Sequence, residues 1–302
     1  MLVAEVTAHG PPEVLRLTER PDPSPGRDEV VVRIRAANVN PTDVAVRSGR
    51  HPRSPQPPFV PGWDLAGEVA AVGEGIEGFA PGDRVVGMIT WGRIGGRVGA
   101  YAEAAAVDPG WLAPLDGAVD DAIAATLPLN ALTARQALDL IDAPTGSILL
   151  ITGATGAVGG FATQLAVGDG HRVLAQASTG DEDWVASLGA TQVVPRSTDL
   201  STIGPVDAVL DAVPFGPAST ACLRDEGTAV FTRPPGAAPD REQRFETVLV
   251  QTDPASLRWL TTDLVDGRLR TRVAEVLPLA EAARAHALNE AGGLRGKVVL
   301  AP

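Results

Sequence analysis

The chain has 302 residues, with 25 basic against 37 acidic side chains for a formal net charge of −12, and 44% hydrophobic residues. That apolar content suits one large domain or two of ordinary size and excludes a disordered chain. The single cysteine, Cys222, excludes an intramolecular disulfide and any metal site built on two thiolates. The acidic balance argues against a nucleic-acid partner. No apolar run is long enough for a bilayer and the N-terminal MLVAEVTAHG lacks a signal-peptide layout, so a soluble, cytoplasmic protein with no membrane partner is expected.

In chain order, the first 115 residues read as short strands between Pro/Gly turns: Glu29–Arg35, Leu65–Val72 and Arg84–Met88. This texture suggests a barrel or sandwich. Asp120–Leu140 has helical spacing broken at Pro128. From Ser147 apolar strands (Ile148–Thr152, Arg172–Ala177, Asp207–Asp211, Thr228–Thr232, Glu246–Gln251) alternate with helices near Ala157–Val167, Asp183–Leu188, Ala218–Arg224 and Pro254–Val265. Such alternation is the pattern of a parallel sheet with crossover helices. A strand at Val273–Leu277, a helix over Leu279–Asn289 and a final strand Lys297–Leu300 return to the texture of the N-terminal part.

The sharpest motif is Ile148-Leu-Leu-Ile-Thr-Gly153-Ala-Thr-Gly156-Ala-Val-Gly159-Gly160, an apolar strand running straight into a helix. It fits the dinucleotide fingerprint with Ala154 in the first glycine's place. Gly156 lets backbone approach a pyrophosphate, Gly159 lets helix pack on strand, and the helix N-terminus offers N–H donors. Gly153, Thr155, Gly156, Ala157 and Val158 are therefore expected to hold the cofactor. The next strand ends in Ala177, Ser178 and Thr179, without the acid that an NAD ribose asks for. This favours NADP(H), with Ser178, Thr179 and Arg196 near the 2′-phosphate. Asp181, Glu182 and Asp183 oppose a phosphate unless they form the first turn of the next helix, and Arg196 is equally readable as a solvated surface residue.

Further blocks are Ala36-Ala-Asn-Val-Asn-Pro-Thr-Asp43, Pro58-Phe-Val-Pro-Gly-Trp-Asp-Leu-Ala-Gly-Glu-Val69, Pro81-Gly-Asp-Arg-Val85, Gly99-Ala-Tyr-Ala-Glu103, Leu132-Thr-Ala134, Asp207-Ala-Val-Leu-Asp211 and Arg295-Gly-Lys-Val-Val-Leu300. With the phosphate loop, they make the chain resemble the medium-chain dehydrogenase/reductase superfamily, in the zinc-free quinone oxidoreductase branch related to zeta-crystallin. The resemblance implies an α/β fold. A doubly wound Rossmann sheet (119–269) would be inserted into a chaperonin-10-like β-barrel catalytic domain (1–118 and 270–302), with the active-site cleft at their junction and a homodimer formed through edge strands such as Glu246–Gln251.

The same resemblance locates the family's zinc ligands and shows them replaced: Asn40 stands for a Cys, Trp63 for a His, and Leu129-Asn130 near the third position. No metal is expected. Without a Lewis acid, hydride transfer is best matched to a substrate that is already electrophilic. The resemblance thus implies NADPH-dependent reduction of a quinone, or of the activated C=C bond of an enone, with an NADPH-binding protein of slight redox activity as a third reading. It sets Asn40 and Asp43 beside the nicotinamide, Thr133 near the diphosphate or ribose unless it only packs its helix, and Val213 and Phe231 at the cofactor; the Pro/Gly-rich Phe231–Gln243 segment reads as an irregular lid or crossing loop. Trp63 is either an aromatic wall for a planar substrate or a core residue. Tyr101 is either a proton donor or structural. Cys222 and His286 read as ordinary helix residues, and Arg93 and Arg97 first as solvated loop arginines and second as residues that meet an anionic substrate.

Overall fold

A computed structural model describes residues 1–90, 98–236 and 242–302; Arg93, Arg97 and part of the Phe231–Gln243 segment lie outside these. The chain divides into two compact units, Met1–Leu129 with Thr252–Pro302, and Asn130–Gln251. The helices Asp121–Ala125 and Pro254–Val265, read from sequence as part of the inserted domain, fall in the first unit.

The first unit is a mostly antiparallel β assembly. A two-stranded ribbon pairs β1 (Leu2–Val6) with β2 (Leu15–Glu19). The larger sheet is built on β3 (Val30–Asn38), whose run of β-branched residues alternates buried and exposed positions at Arg33 and Arg35 and is wholly buried beyond. Helix α1 (Pro41–Arg47) follows at once, started by a proline in its first turn. The sheet continues with β4 (Asp64–Val72), β5 (Arg84–Met88), β6 (Ala104–Val107) and β7 (Leu112–Pro114). After helix α2 (Asp121–Ala125), helix α3 (Pro128–Ile141) leads into the second unit.

The second unit carries β8 (Ile148–Thr152), α4 (Ala157–Gly168), β9 (Arg172–Ala177), α5 (Glu182–Ser187), β10 (Gln192–Pro195), β11 (Val206–Asp211), β12 (Leu223–Phe231) and β13 (Arg244–Thr247). Its strands pair in parallel in the order β10-β9-β8-β11-β12-β13. The chain order reverses at β8, which makes the β8/β11 crevice the topological switch point where ligands bind in such sheets.

Two elements depart from expectation. The helix read at Ala218–Arg224 is a short 3-10 turn at Gly216–Thr220, and Leu223 already opens β12 opposite Val206. The polar Arg-Asp-Glu stretch that imitates a helix surface is a register shift within that strand. The strand read at Glu246–Gln251 is β13, confined to four residues by its pairing with Thr228–Phe231.

The chain returns to the first unit with α6 (Pro254–Val265), β14 (Val273–Pro278), α7 (Ala282–Ala291) and β15 (Lys297–Ala301). β15 pairs antiparallel with β3, Val299 opposite Asn38, so the C-terminal tail is stitched into the N-terminal sheet. No helix among the described residues is long and apolar enough to cross a membrane.

Candidate active site

In the first unit, strand periodicity gathers a buried polar cluster. Asn38 and Asn40 lie two residues apart and share a face of the β3 extension. Asn38 is register partner to Asp64 at the start of β4. On the other side, the Val299–Asn38 pairing continues outward to bring Lys297 alongside Asn40. Asn38 Nδ2 donates to Asn40 Oδ1 and to Asp64 Oδ2, both at 2.9 Å. Asn40 Nδ2 donates to Asp64 Oδ2 at 2.8 Å, and Lys297 Nζ donates to Asn40 Oδ1 at 2.9 Å. The remaining carboxylate oxygen of Asp64 accepts the Leu129 N–H at 2.8 Å. Asp43, in the first turn of α1, accepts the Asn40 N–H at 2.8 Å. Asn38, Asn40, Asp43 and Asp64 are all fully buried.

Burial dominates the electrostatics. Desolvation pushes Asp43 up to about 8, against the Asn40 N–H, with the neighbouring Asp64 charge adding to the rise. Desolvation also raises Asp64, to about 6, while donors from Asn38, Asn40 and Leu129 and the Lys297 charge oppose it. Burial lowers Lys297 to about 8, with Asp64 and Asp43 holding it up. The hydrogen bonds and mutual attraction favour an ammonium at Lys297 and a carboxylate at Asp64, while burial beside Asp64 favours the proton on Asp43.

This donor set does not suit zinc. An ammonium 2.9 Å from the Asn40 oxygen occupies the approach to that ligand atom and repels a cation. Trp63 offers no ligand atom, and Cys222 is buried in the core of the second unit, its thiol pushed up to about 11 by burial. Trp63 is half-buried and packs on the core of the first unit.

Tyr101 is fully buried, its hydroxyl 3.1 Å from His286 Nε2 and its ring edge-on to the imidazole. The phenol is committed to a core partner, and burial raises its pKa well above the ordinary tyrosine range. His286 is correspondingly more than an ordinary helix residue. It is held neutral, its pKa lowered to about 3 by desolvation and then by the Arg47 charge.

In the second unit, the loop from Gly153 to Gly156 joins β8 to α4. Gly153 has φ +63, and a Cβ there would sit 2.4 Å from Val213 Cγ1. A Cβ at Gly159 would meet the Gly153 carbonyl oxygen at 2.4 Å, the close helix–strand approach expected of that glycine. At Gly156 an added Cβ would touch only the Gly153 oxygen, at 3.4 Å. Gly156 is exposed at the start of α4 and faces open space, with room for a pyrophosphate beside the helix N–H groups. Thr155 Oγ1 accepts the Ser178 N–H at 3.0 Å, linking this loop to the tip of β9.

A shallow concavity is lined by Gly153, Gln176, Ala177, Ser178, Arg196, Val213 and Phe215. Arg196 is exposed, and its guanidinium lies 5.6 Å from the centre of the Phe215 ring, a cation–π distance. Thr179 is exposed in the turn after Ser178. The acids that follow form the start of α5: Asp181 is buried at its cap, and Glu182 folds back to accept the Gly180 N–H at 2.7 Å.

The residues expected at the cofactor thus assemble in part. Gly153, Ser178, Arg196 and Val213 share one concavity, bordered by the loop that carries Thr155, Gly156, Ala157 and Val158. The Phe231 side chain is buried in the core and stacks edge-on against Phe245. Thr133 is buried on α3. Sequence reasoning missed Asn38, Asp64, Lys297, Asp211 and Phe215. The Asn-x-Asn spacing at the end of a strand was the available signal for one shared polar face.

Two family descriptions match the chain: an alcohol dehydrogenase GroES-like domain over residues 26–117 and a zinc-binding dehydrogenase domain over residues 188–300. The chain is 30% identical over 313 residues to the chloroplastic quinone-oxidoreductase QR1 of Triphysaria versicolor, covering 95% of this chain and 94% of that protein. It is 31% identical over 306 residues to the 2-methylene-furan-3-one reductase of Solanum lycopersicum, covering 98% and 78% respectively. The structure of the quinone oxidoreductase from Coxiella burnetii matches with a TM-score of 0.89 at 29% identity, covering 100% of this chain and 99% of that one. A Rossmann sheet with a fingerprint loop, a GroES-like unit closed by its own C-terminal strand and near full-length similarity to these proteins lead to one conclusion: the chain is an oxidoreductase of the medium-chain dehydrogenase/reductase superfamily, in its quinone-oxidoreductase branch.

Proposed function

We propose that this protein is a metal-independent reductase that uses NADPH to reduce a quinone. The observation that carries the reading is the Lys297–Asn40 hydrogen bond, which puts an ammonium where a zinc enzyme of this superfamily would need a metal-facing ligand. When bound, NADPH supplies a hydride, which a quinone accepts onto a delocalised system without a Lewis acid.

The protein's part is binding and electrostatics. Gly156 and the α4 N-terminus receive the pyrophosphate, and Ser178, Thr179 and Arg196 receive the 2′-phosphate. Asn40 and Asp43 border the nicotinamide, and Trp63 provides a flat wall for a planar acceptor. The charge-balanced Asn38–Asn40–Asp64–Lys297 cluster receives the reacting groups without a net negative field opposing hydride delivery. Protons for a two-electron quinone reduction come from solvent, which agrees with a Tyr101 committed to the core.

A second reading, reduction of an activated C=C bond next to a carbonyl, is favoured by the tomato furanone reductase, whose match runs along 98% of this chain. NADPH consumption against a panel of quinones and enones, with products identified, decides between them. Hydroquinone supports the first reading and a saturated ketone the second. Cofactor binding with no turnover on the whole panel overturns both and leaves a nucleotide-binding protein. We also propose a homodimer formed through the β13 edge, where Leu249 is 71% exposed beside a groove of about 440 Å³ lined by Gln136, Asp139, Leu140, Thr247 and Val248.

A further inference from the structure

The geometry points to Lys297 as a positioning residue of the reductase site: its ammonium locks the Asn40 amide in one orientation and supplies the positive charge against which the Asp64 carboxylate is buried. The inference rests on the reductase reading above and adds a role for a residue 257 positions away from Asn40 in the chain.

The argument is one of hydrogen-bond polarity. An asparagine amide can flip, exchanging oxygen for nitrogen at almost no steric cost, so only its partners decide which way it points. Here the partners leave no choice. Lys297 only donates, and it meets Asn40 Oδ1. Asp64, as a carboxylate, only accepts, and it meets Asn40 Nδ2. Asn38 reinforces the direction, because its Nδ2 donates to that same Asn40 oxygen and to Asp64. A flipped Asn40 would set an N–H against the ammonium and an oxygen against the carboxylate. Lys297 is thus one of two charged ends that hold the amide, and it is the end that can be removed without leaving α1, β3 or β4.

Its charge matters as much as its direction. Hydride transfer delivers negative charge to the acceptor, and a preorganised cation lowers the cost of that step. The charged groups bearing on Lys297 are Asp64 on β4 and Asp43 on α1. Beyond these, Tyr101 feels both carboxylates and Arg47, His286 on α7 feels Arg47, and Arg47 is itself paired with Glu290 at 2.6 Å. Loss of the Lys297 charge therefore leaves Asp64 facing the site uncompensated.

The test uses the full chain with Lys297→Met and Lys297→Arg. With NADPH and a soluble benzoquinone, Lys297→Met is expected to lower kcat by about 10- to 100-fold, an electrostatic effect of the usual size. KM for NADPH should move less than about threefold. Lys297→Arg restores part of the loss. Asp43 is also brought to about 8, so the pH readings are made in an Asp43→Asn background: kcat is expected to fall on the alkaline side with a midpoint near 8 where Lys297 is present, and that limb is missing in Lys297→Met. In the ligand-free protein of that background, the Asn40 side-chain amide signals in a nitrogen–proton NMR spectrum move with the same midpoint and lose that step in Lys297→Met. Unchanged kcat and pH profile in Lys297→Met, or amide signals that titrate in it as they do with Lys297 present, overturn the assignment. If Lys297→Met does not fold, Lys297→Arg is read in the same titration, where a shifted midpoint supports the role and an unshifted one overturns it. Should wild type turn over no acceptor at all, the reductase reading fails while the ligand-free titration still decides the assignment of Lys297.

Discussion

Thr152 Oγ1 donates a 2.6 Å hydrogen bond to Asp211 Oδ1, tying the carboxyl end of β8 to that of β11 where the two strands stand in register. The other Asp211 oxygen accepts the Gly216 N–H at 2.8 Å. One buried carboxyl group thereby fixes the start of the phosphate loop and the loop that carries Val213 and Phe215. Both loops line the concavity proposed above for the cofactor.

Replacing Asp211 with Ala should free the Val213–Gly216 loop and leave Thr152 and the Gly216 N–H without their partner. The expected loss is about 1–3 kcal/mol of stability, the usual cost of orphaning buried polar groups. NADPH should bind roughly tenfold more weakly, a factor worth about 1.4 kcal/mol. Urea denaturation and a fluorescence titration with NADPH measure the two effects, and unchanged affinity would show that the loop is held by packing alone.

Two glycines of the phosphate loop should separate cleanly. Gly159→Ala forces a methyl group against the Gly153 carbonyl, a backbone atom that cannot rotate away, so a loss of about 1–3 kcal/mol or more is expected. Gly156→Ala meets no such obstacle and should change stability by less than about 0.5 kcal/mol. It fills the space reserved for the pyrophosphate, however, and should abolish NADPH binding. Melting temperatures paired with binding isotherms check this; a Gly156→Ala protein that binds normally would move the pyrophosphate elsewhere.

The proposed preference for NADPH over NADH is tested at Arg196. Arg196→Ala should raise KM for NADPH about tenfold, the scale of one lost charge-assisted contact, and leave KM for NADH unchanged. Because the guanidinium is exposed, high salt should weaken the preference in wild type as well. Equal effects on both cofactors would assign Arg196 to the surface alone.

His286 should make the protein sensitive to acid. Its pKa is lowered from 6.5 to about 3 in the folded protein, so the unfolded chain binds the extra proton first as pH falls. The stability this group contributes is full above about 6.5 and drains away toward pH 3, by roughly 1.4 kcal/mol per unit at most. Asp43 and Asp64 act with the opposite sign, since their raised values favour the folded state in acid and lose that benefit as pH rises toward 6 and 8. The His286 contribution is isolated by comparison with His286→Gln, which does not titrate. The stability gap between wild type and variant should narrow on acidification, and a gap independent of pH would contradict a neutral buried imidazole.

If the β13 edge forms a dimer, Leu249→Lys should convert it to monomer. The substitution places a charge on an exposed apolar position and costs the folded monomer little. Light scattering on the purified protein reads the mass directly, and an unchanged dimer would put the interface on another face.

Much of the fold was legible because it rests on short-range pattern. The predicted ranges of β5, β8, β9 and α6 coincide with those in the structure, each bounded by turn residues that end an apolar run. Reading failed at Ala218–Arg224, where a polar register shift near the start of β12 copies a helix surface, although Thr228–Phe231 of the same strand was legible as strand. The burial of the Phe231 side chain was not legible either, because a strand-end aromatic has two faces available and only the neighbouring β13, through Phe245, shows which one is covered.

The sequence by itself determined the groups available: one thiol, the Asn40 and Trp63 that the resemblance sets at zinc-ligand positions, and a phosphate loop without an acid at the next strand tip. Only the tertiary structure decided which of these groups act together. Lys297 and Asn40 meet because β15 pairs with β3 in one register, and a slip of one residue would turn Lys297 to the opposite face. That register is selected by which faces of the whole sheet are buried, a property that no local stretch of the chain contains.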